Sequence, residues 1–105
     1  MIVRVWKGQT TVKNADAYKQ YLANALFPSL ARIPGHRGAQ ILRRETATGA
    51  EFVIVTYWDS MNAVHEFAGP NAEVAVVPAE ARTLLSDFEE SVRHYELVHD
   101  AGLAK

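Results

Sequence analysis

Phe52-Val53-Ile54-Val55-Thr56-Tyr57-Trp58 carries a large or β-branched side chain at every position. Such residues fit a pleated sheet, and the run reads as a strand from Glu51 to Trp58. Successive strand side chains point to opposite faces, so a strand wetted on one side alternates apolar with polar. This one is apolar on both faces and needs cover on both.

Working outward, the turn Ala47-Thr48-Gly49 joins it as a hairpin to a strand from about Gly38 to Thr46. Downstream, Asp59-Ser60 opens a helix, with Ser60 as the cap and Ala63, Val64, Phe67 and Ala68 at helical spacing before Gly69-Pro70 closes it. Near the N-terminus, Ile2 to Thr11 alternates and reads as a strand. Asn14 then caps a predicted helix carrying Tyr18, Tyr21, Leu22, Ala25, Leu26 and Leu30, which Pro34-Gly35 ends. A stretch holding Val74, Val76 and Val77 leads through Pro78 to a helical turn or two at Ala79–Leu85. The last strand falls at about Ser91 to His99, with a loose tail from Asp100 to Lys105. The order β-α-β-β-α-β predicts an α+β, ferredoxin-like fold in one domain spanning residues 1–105: one antiparallel four-stranded sheet with helices on one face.

That architecture leaves the other face bare. Two helices cover one side of the sheet, yet Val3 and Val5 oppose Ile2 and Trp6, and Tyr95 and Leu97 oppose Val92 and Val98. Covering even ~600 Å² of apolar surface is worth ~15 kcal/mol before the costs of association. The sequence therefore predicts a homodimer packed sheet to sheet about a two-fold axis. A monomer whose Val74–Leu85 segment folds over the bare face is the alternative.

Composition narrows the function. The 105 residues are 49% hydrophobic and 22% charged, as in an ordinary globular protein. Eleven Lys and Arg against twelve Asp and Glu leave a net charge of −1, which disfavours nucleic acid as a partner. No apolar run approaches the ~20 residues of a membrane span, and the start shows no export leader. The absence of cysteine removes disulfides, thiolate metal sites and thiol catalysis and fits a reducing cytoplasm.

The junction Phe52–Ser60, followed by Ala63, Phe67 and Ala68, resembles the antibiotic biosynthesis monooxygenase family. The later residues Ala75-Val76-Val77-Pro78, Leu85, Phe88 and His94-Tyr95-Glu96 are similar to a group of its mostly uncharacterised members. The resemblance spans roughly residues 2–99. It implies a dimeric α/β barrel with a cleft between the sheet and the helices of each subunit. It also implies oxidation of polycyclic phenols to quinones by molecular oxygen, with no cofactor and no metal. Other members degrade haem, through an Asn on the first strand, a Trp on the second helix and a His beyond it. The first strand here has no Asn, and the other two positions fall on Phe67 and Val77. A non-catalytic dimer that binds a small molecule, and an isomerase or lyase acting by proton transfer, are rival readings of the same fold.

For the oxidative reading, His94 is the candidate proton acceptor, because an imidazole titrates near neutrality. Its bland alternative is a His paired with a carboxylate at a subunit interface. Trp6, Trp58 and Phe67 are candidate contacts to a flat aromatic substrate, or plain core. Arg44 is the candidate anion-stabilising group; Arg4 and Arg43 are others, and pairing with Glu45, Glu51 or Glu96 is the ordinary use of such arginines. His36, His65 and His99 read as exposed.

Overall fold

The computed structural model describes residues 1–103. Strand β1 (Ile2–Thr11) and strand β3 (Gly49–Trp58) form its spine, an antiparallel ladder running from Ile2 opposite Trp58 to Thr11 opposite Gly49. Strand β2 (His36–Thr46) flanks β3, and two short strands, β4 (Asp87–Phe88) and β5 (Arg93–Glu96), share the other edge of β1. The sheet order β2-β3-β1-β4, with β5 also beside β1, is the expected ferredoxin-like arrangement with five strands instead of four.

The fifth strand is β4, which precedes the expected last strand (Ser91–His99); that strand is itself shortened to Arg93–Glu96. Gly8 faces Phe88 and Arg4 faces His94, so the pairing slips by two residues between β4 and β5. The extra backbone bulges out and bonds elsewhere: the Val92 N–H donates to the Glu73 carbonyl at 2.7 Å, and the Ala75 N–H to Glu90 at 2.9 Å. Slipping by an even number preserves facing, so strands on both sides of the bulge keep the same sheet polarity.

The register assigns every side chain to a face. Arg4, Trp6 and Gly8 of β1 share the inner face with Phe52, Ile54, Thr56 and Trp58 of β3, and these four β3 residues are all buried. The helices cover this side. Helix α1 (Ala15–Tyr21) runs through a π-helical segment, Leu22–Leu26, into α2 (Phe27–Leu30); α3 (Met61–Ala68) and α4 (Ala79–Leu84) follow later. Asn14 precedes α1, but its side chain makes no capping bond; its carbonyl receives the Tyr18 N–H instead. Ser60 caps α3 as the sequence predicts, its hydroxyl accepting from the Ala63 N–H.

Two clusters fill the inner layer. Tyr18 meets Phe52 edge-on at 5.0 Å near Leu22, Ile54 and Ala81, and Trp58 stacks on Phe67 at 5.7 Å near Leu30 and Val64. The Val74–Leu85 stretch packs on this helix side, with Ala81 in the first cluster, and so is not the cover for the opposite face. That outer face carries Val3, Val5, Val53, Val55 and Tyr57, with Leu42 and Tyr95 each 52% exposed. The described part of the tail, to Leu103, is exposed and has no regular structure; the last two residues lie outside the described ones.

The α2-to-β2 corner depends on Gly35. Its φ of +89° is one that L side chains rarely adopt, and an added Cβ would lie 2.6 Å from that of Ala63. Its carbonyl also accepts the Asp59 N–H at 2.8 Å. Gly35→Ala is expected to cost about 2 kcal/mol and to lower the thermal midpoint by about 10 °C. An unchanged melting curve would contradict this account of the corner.

Candidate functional site

The helices do not close over the whole inner face. Between the sheet and the α1–α2 run lies a narrow, open-mouthed cleft of about 60 Å³. Its floor is the inner face of the spine: Arg4 and Trp6 from β1, Ile54 and Thr56 from β3. Tyr18, Tyr21, Leu22 and Leu26 form the roof, Phe67 of α3 closes one end, and Val76-Val77-Pro78 forms a side wall. Two of the roof residues lie in the π-helical segment, a local widening often found where helices border functional sites. The lining is mostly apolar or aromatic, the usual composition of a small-molecule pocket.

Among the described residues, Arg4 is the one charged residue that lines it. Only 5% of its surface is exposed. Its Nη1 donates to the Ala72 carbonyl at 2.7 Å and lies 2.9 Å from His94 Nε2, and its guanidinium carbon sits 5.5 Å from the centre of the Phe67 ring. No carboxylate among the described residues is within salt-bridge distance of it. Burial without a compensating anion lowers its pKa to about 10, so it remains a cation at neutral pH.

His94 sits directly behind this cation. Burial and then the Arg4 charge push its pKa below the ordinary value, partly countered by Glu73. A neutral imidazole is the form whose Nε2 can accept from a guanidinium, so the contact makes Nε2 an acceptor and puts the ring proton on Nδ1. His94 is therefore tied to Arg4, and it is not among the cleft-lining residues. Register places Tyr95 opposite Val3 on the outer face.

The other expected site residues divide between locations. Trp6 and Phe67 line the cleft beside Arg4. The Trp6 indole N–H donates to the Glu89 carbonyl, which fixes the ring against the bulge. Trp58 is fully buried behind Phe67, its indole N–H donating to the Thr56 hydroxyl at 2.9 Å, and does not reach the cleft. Arg44 lies on the outer face of β2, paired with Glu51 at 3.0 Å, whereas Arg43 points inward and bonds Asp16 and Glu45 at the sheet edge. His65 and His99 are exposed, but His36 is not: it is half-buried, edge-on to Trp58 at 4.9 Å, because the α2–β2 corner folds it inward. Among the described residues no group of three His, Cys, Asp or Glu could hold a metal ion.

Fold and cleft together define a ferredoxin-like protein with a mostly apolar cleft between its sheet and its own helices. The sequence model of the antibiotic biosynthesis monooxygenase family matches residues 1–72, and the chain belongs to that family. None of the curated proteins matches it. Solved structures share the fold at low identity. A cofactor-independent oxygenase from Streptomyces nogalater is 19% identical, with 95% of each chain covered and a TM-score of 0.64. A Streptomyces coelicolor monooxygenase in complex with nanaomycin D is 14% identical over 99% of this chain and 92% of that one, at a TM-score of 0.63. The haem degrader of Mycobacterium tuberculosis, solved with two haems in its active site, is 20% identical over 97% of this chain and all of that one, at 0.61. No described helix is long and apolar enough to cross a membrane.

The two half-buried imidazoles set an acid limit. His94 and His36 both have pKa values pushed below 6.5, burial being the largest cause for each. The unfolded chain takes up their protons first, so stability present above pH 6.5 is lost as the pH falls through the lowered values. Thermal melts are expected to show this decline, and His94→Gln should make it shallower. An equal slope in both proteins would contradict the placement of His94.

Proposed function

We propose that the chain is a cofactor-independent monooxygenase acting on a flat, phenolic aromatic compound held in the cleft. The observation that carries this reading is the cleft itself: mostly apolar, walled by Trp6, Tyr18, Tyr21 and Phe67, and set between the sheet and the helices of one subunit. Such walls exclude water from the faces of a ring and hold it in one plane. Family membership and the two Streptomyces oxygenases of the same fold favour oxygen chemistry.

The reaction needs no further reductant. An anthrone-type substrate carries a CH2 group that tautomerises to a phenol. Its oxidation by one O2 places one oxygen atom on that carbon as the quinone C=O. The two hydrogens leave with the second oxygen atom as water. All four electrons that reduce the oxygen come from the substrate, and the chain has only to bind the ring, favour its ionised form and keep the reacting carbon dry.

Haem degradation is less well supported. The positions that the haem-degrading branch fills with Trp and His are Phe67 and Val77, and both line this cleft as hydrocarbon. Among the described residues no imidazole lines it, so an iron bound there would lack that ligand. Under aerobic conditions, anthrone-type phenols are expected to be converted to quinones with one O2 consumed per turnover. Trp6→Ala should reduce the rate at least tenfold. Consumption of the substrate without oxygen and without quinone formation would favour the proton-transfer reading, and absence of any conversion across a phenol panel would remove the enzymatic one.

We further propose that the outer face is the contact between two copies in a homodimer. Supporting this are its valine-rich centre and the packing of Val74–Leu85 on the other side of the sheet. Sedimentation at micromolar concentration should report a dimer, and Val55→Glu, a charge placed mid-face, should yield monomers. A monomeric native protein would overturn it.

A further inference from the structure

We propose that Arg4, held by neutral His94, is an oxyanion site that makes the cleft select aromatic compounds bearing an ionised oxygen on the ring. The proposal deepens the preceding one: it accepts the cleft as the substrate site and names what the substrate must carry.

Every element packed against Arg4 leaves its charge uncompensated. From β3 comes the Thr56 hydroxyl, already accepting from Trp58; from α3, the Phe67 ring; from the following strip, the Ala72 carbonyl; from β5, the imidazole of His94. All are neutral. Glu73 acts on His94 but is exposed and makes no salt bridge to Arg4 among the described residues. Both hydrogen bonds use Nη1, and among the described residues Nε and Nη2 have no partner. A guanidinium buried to 95% normally faces a carboxylate, since a buried charge is costly until paired. Here the open side is the cleft, where an incoming anion would meet a cation already desolvated and fixed in orientation.

His94 has a distinct role in this arrangement. By accepting at Nε2 it holds Nη1 without adding charge, which a carboxylate in its place would do. It is a positioning residue: it acts on the ligand only through Arg4. A phenolate oxygen and a ring carboxylate offer the same chemistry to the guanidinium, and separate probes distinguish them.

The test compares 2-naphthoate with its neutral isostere 2-naphthamide, by calorimetry at pH 7.5, on the intact protein. Native protein should bind the naphthoate at least tenfold more tightly. Arg4→Met should abolish that preference while still binding the amide, which shows the variant to be folded, and Arg4→Lys should retain part of it. His94→Leu should weaken naphthoate alone, and His94→Gln, whose amide oxygen can still accept from Arg4, should restore it. A nitronaphthol whose ionisation is visible should show a lowered pKa when bound to native protein and not to Arg4→Met; a shift here without a naphthoate preference would assign the site to phenolates alone. Equal affinity for naphthoate and amide with no nitronaphthol shift, or a preference that survives Arg4→Met, would overturn the proposal while leaving the cleft as a ring site. Failure of all three probes to bind would overturn both this proposal and the cleft reading on which it rests.

Discussion

The ten-residue ladder between β1 and β3 is the constraint on which everything else depends. Because the two strands pair antiparallel in strict alternation, even-numbered residues of both face the helices and odd-numbered residues face away. One slip of register would either exchange Phe52, Ile54 and Trp58 for Val53, Val55 and Tyr57 or move Arg4 to the opposite side of the sheet. Core, cleft and outer face are thus one decision made by one strand pair. The bulge between β4 and β5 preserves it, since a two-residue slip leaves His94 on the Arg4 side.

Within that frame the inner face does two jobs that pull against each other. The two ends of its β3 half are sealed: Phe52 and Trp58 expose nothing, and Tyr18 and Phe67 lie on them as aromatic cover. Its β1 half carries a cation at the point where a close-packed core would put a hydrocarbon. Desolvating such a group costs about several kcal/mol, only part of which two hydrogen bonds on one nitrogen return. A protein selected for stability alone gains nothing from that arrangement. The cost is offset when an anion occupies the cleft, so the same residue that weakens the empty fold sharpens recognition.

The sequence made the fold legible because its signals were local and agreed with one another: an apolar strand, a Gly-containing hairpin turn, Ser60 before a helical stripe. The short strand β4 and the bulge after it were not legible, because Glu90-Ser91-Val92 bonds to the Glu73–Ala75 strip, far away in sequence. In the cleft, Trp6 and Phe67 followed from periodicity and resemblance. Arg4 was visible too, since Ile2, Arg4 and Trp6 alternate onto one face, but the lack of a salt bridge to it among the described residues is a tertiary fact. Tyr18 and Tyr21 read as helix stripe, and nothing local shows that the helix above them stands off the sheet. Strand parity separated Arg43 from Arg44 and His94 from Tyr95, while the assignment of each parity to a side required the register with β1 and β3.

The most direct measurement of this account is the nitrogen-15 NMR signal of the Arg4 Nε–H group as 2-naphthoate is added. The account predicts that this resonance shifts and becomes protected from exchange at saturation, with the signals of Arg43 and Arg44 unmoved. Saturable binding that leaves the Arg4 signal in place, or that perturbs the arginines of β2 instead, would contradict it.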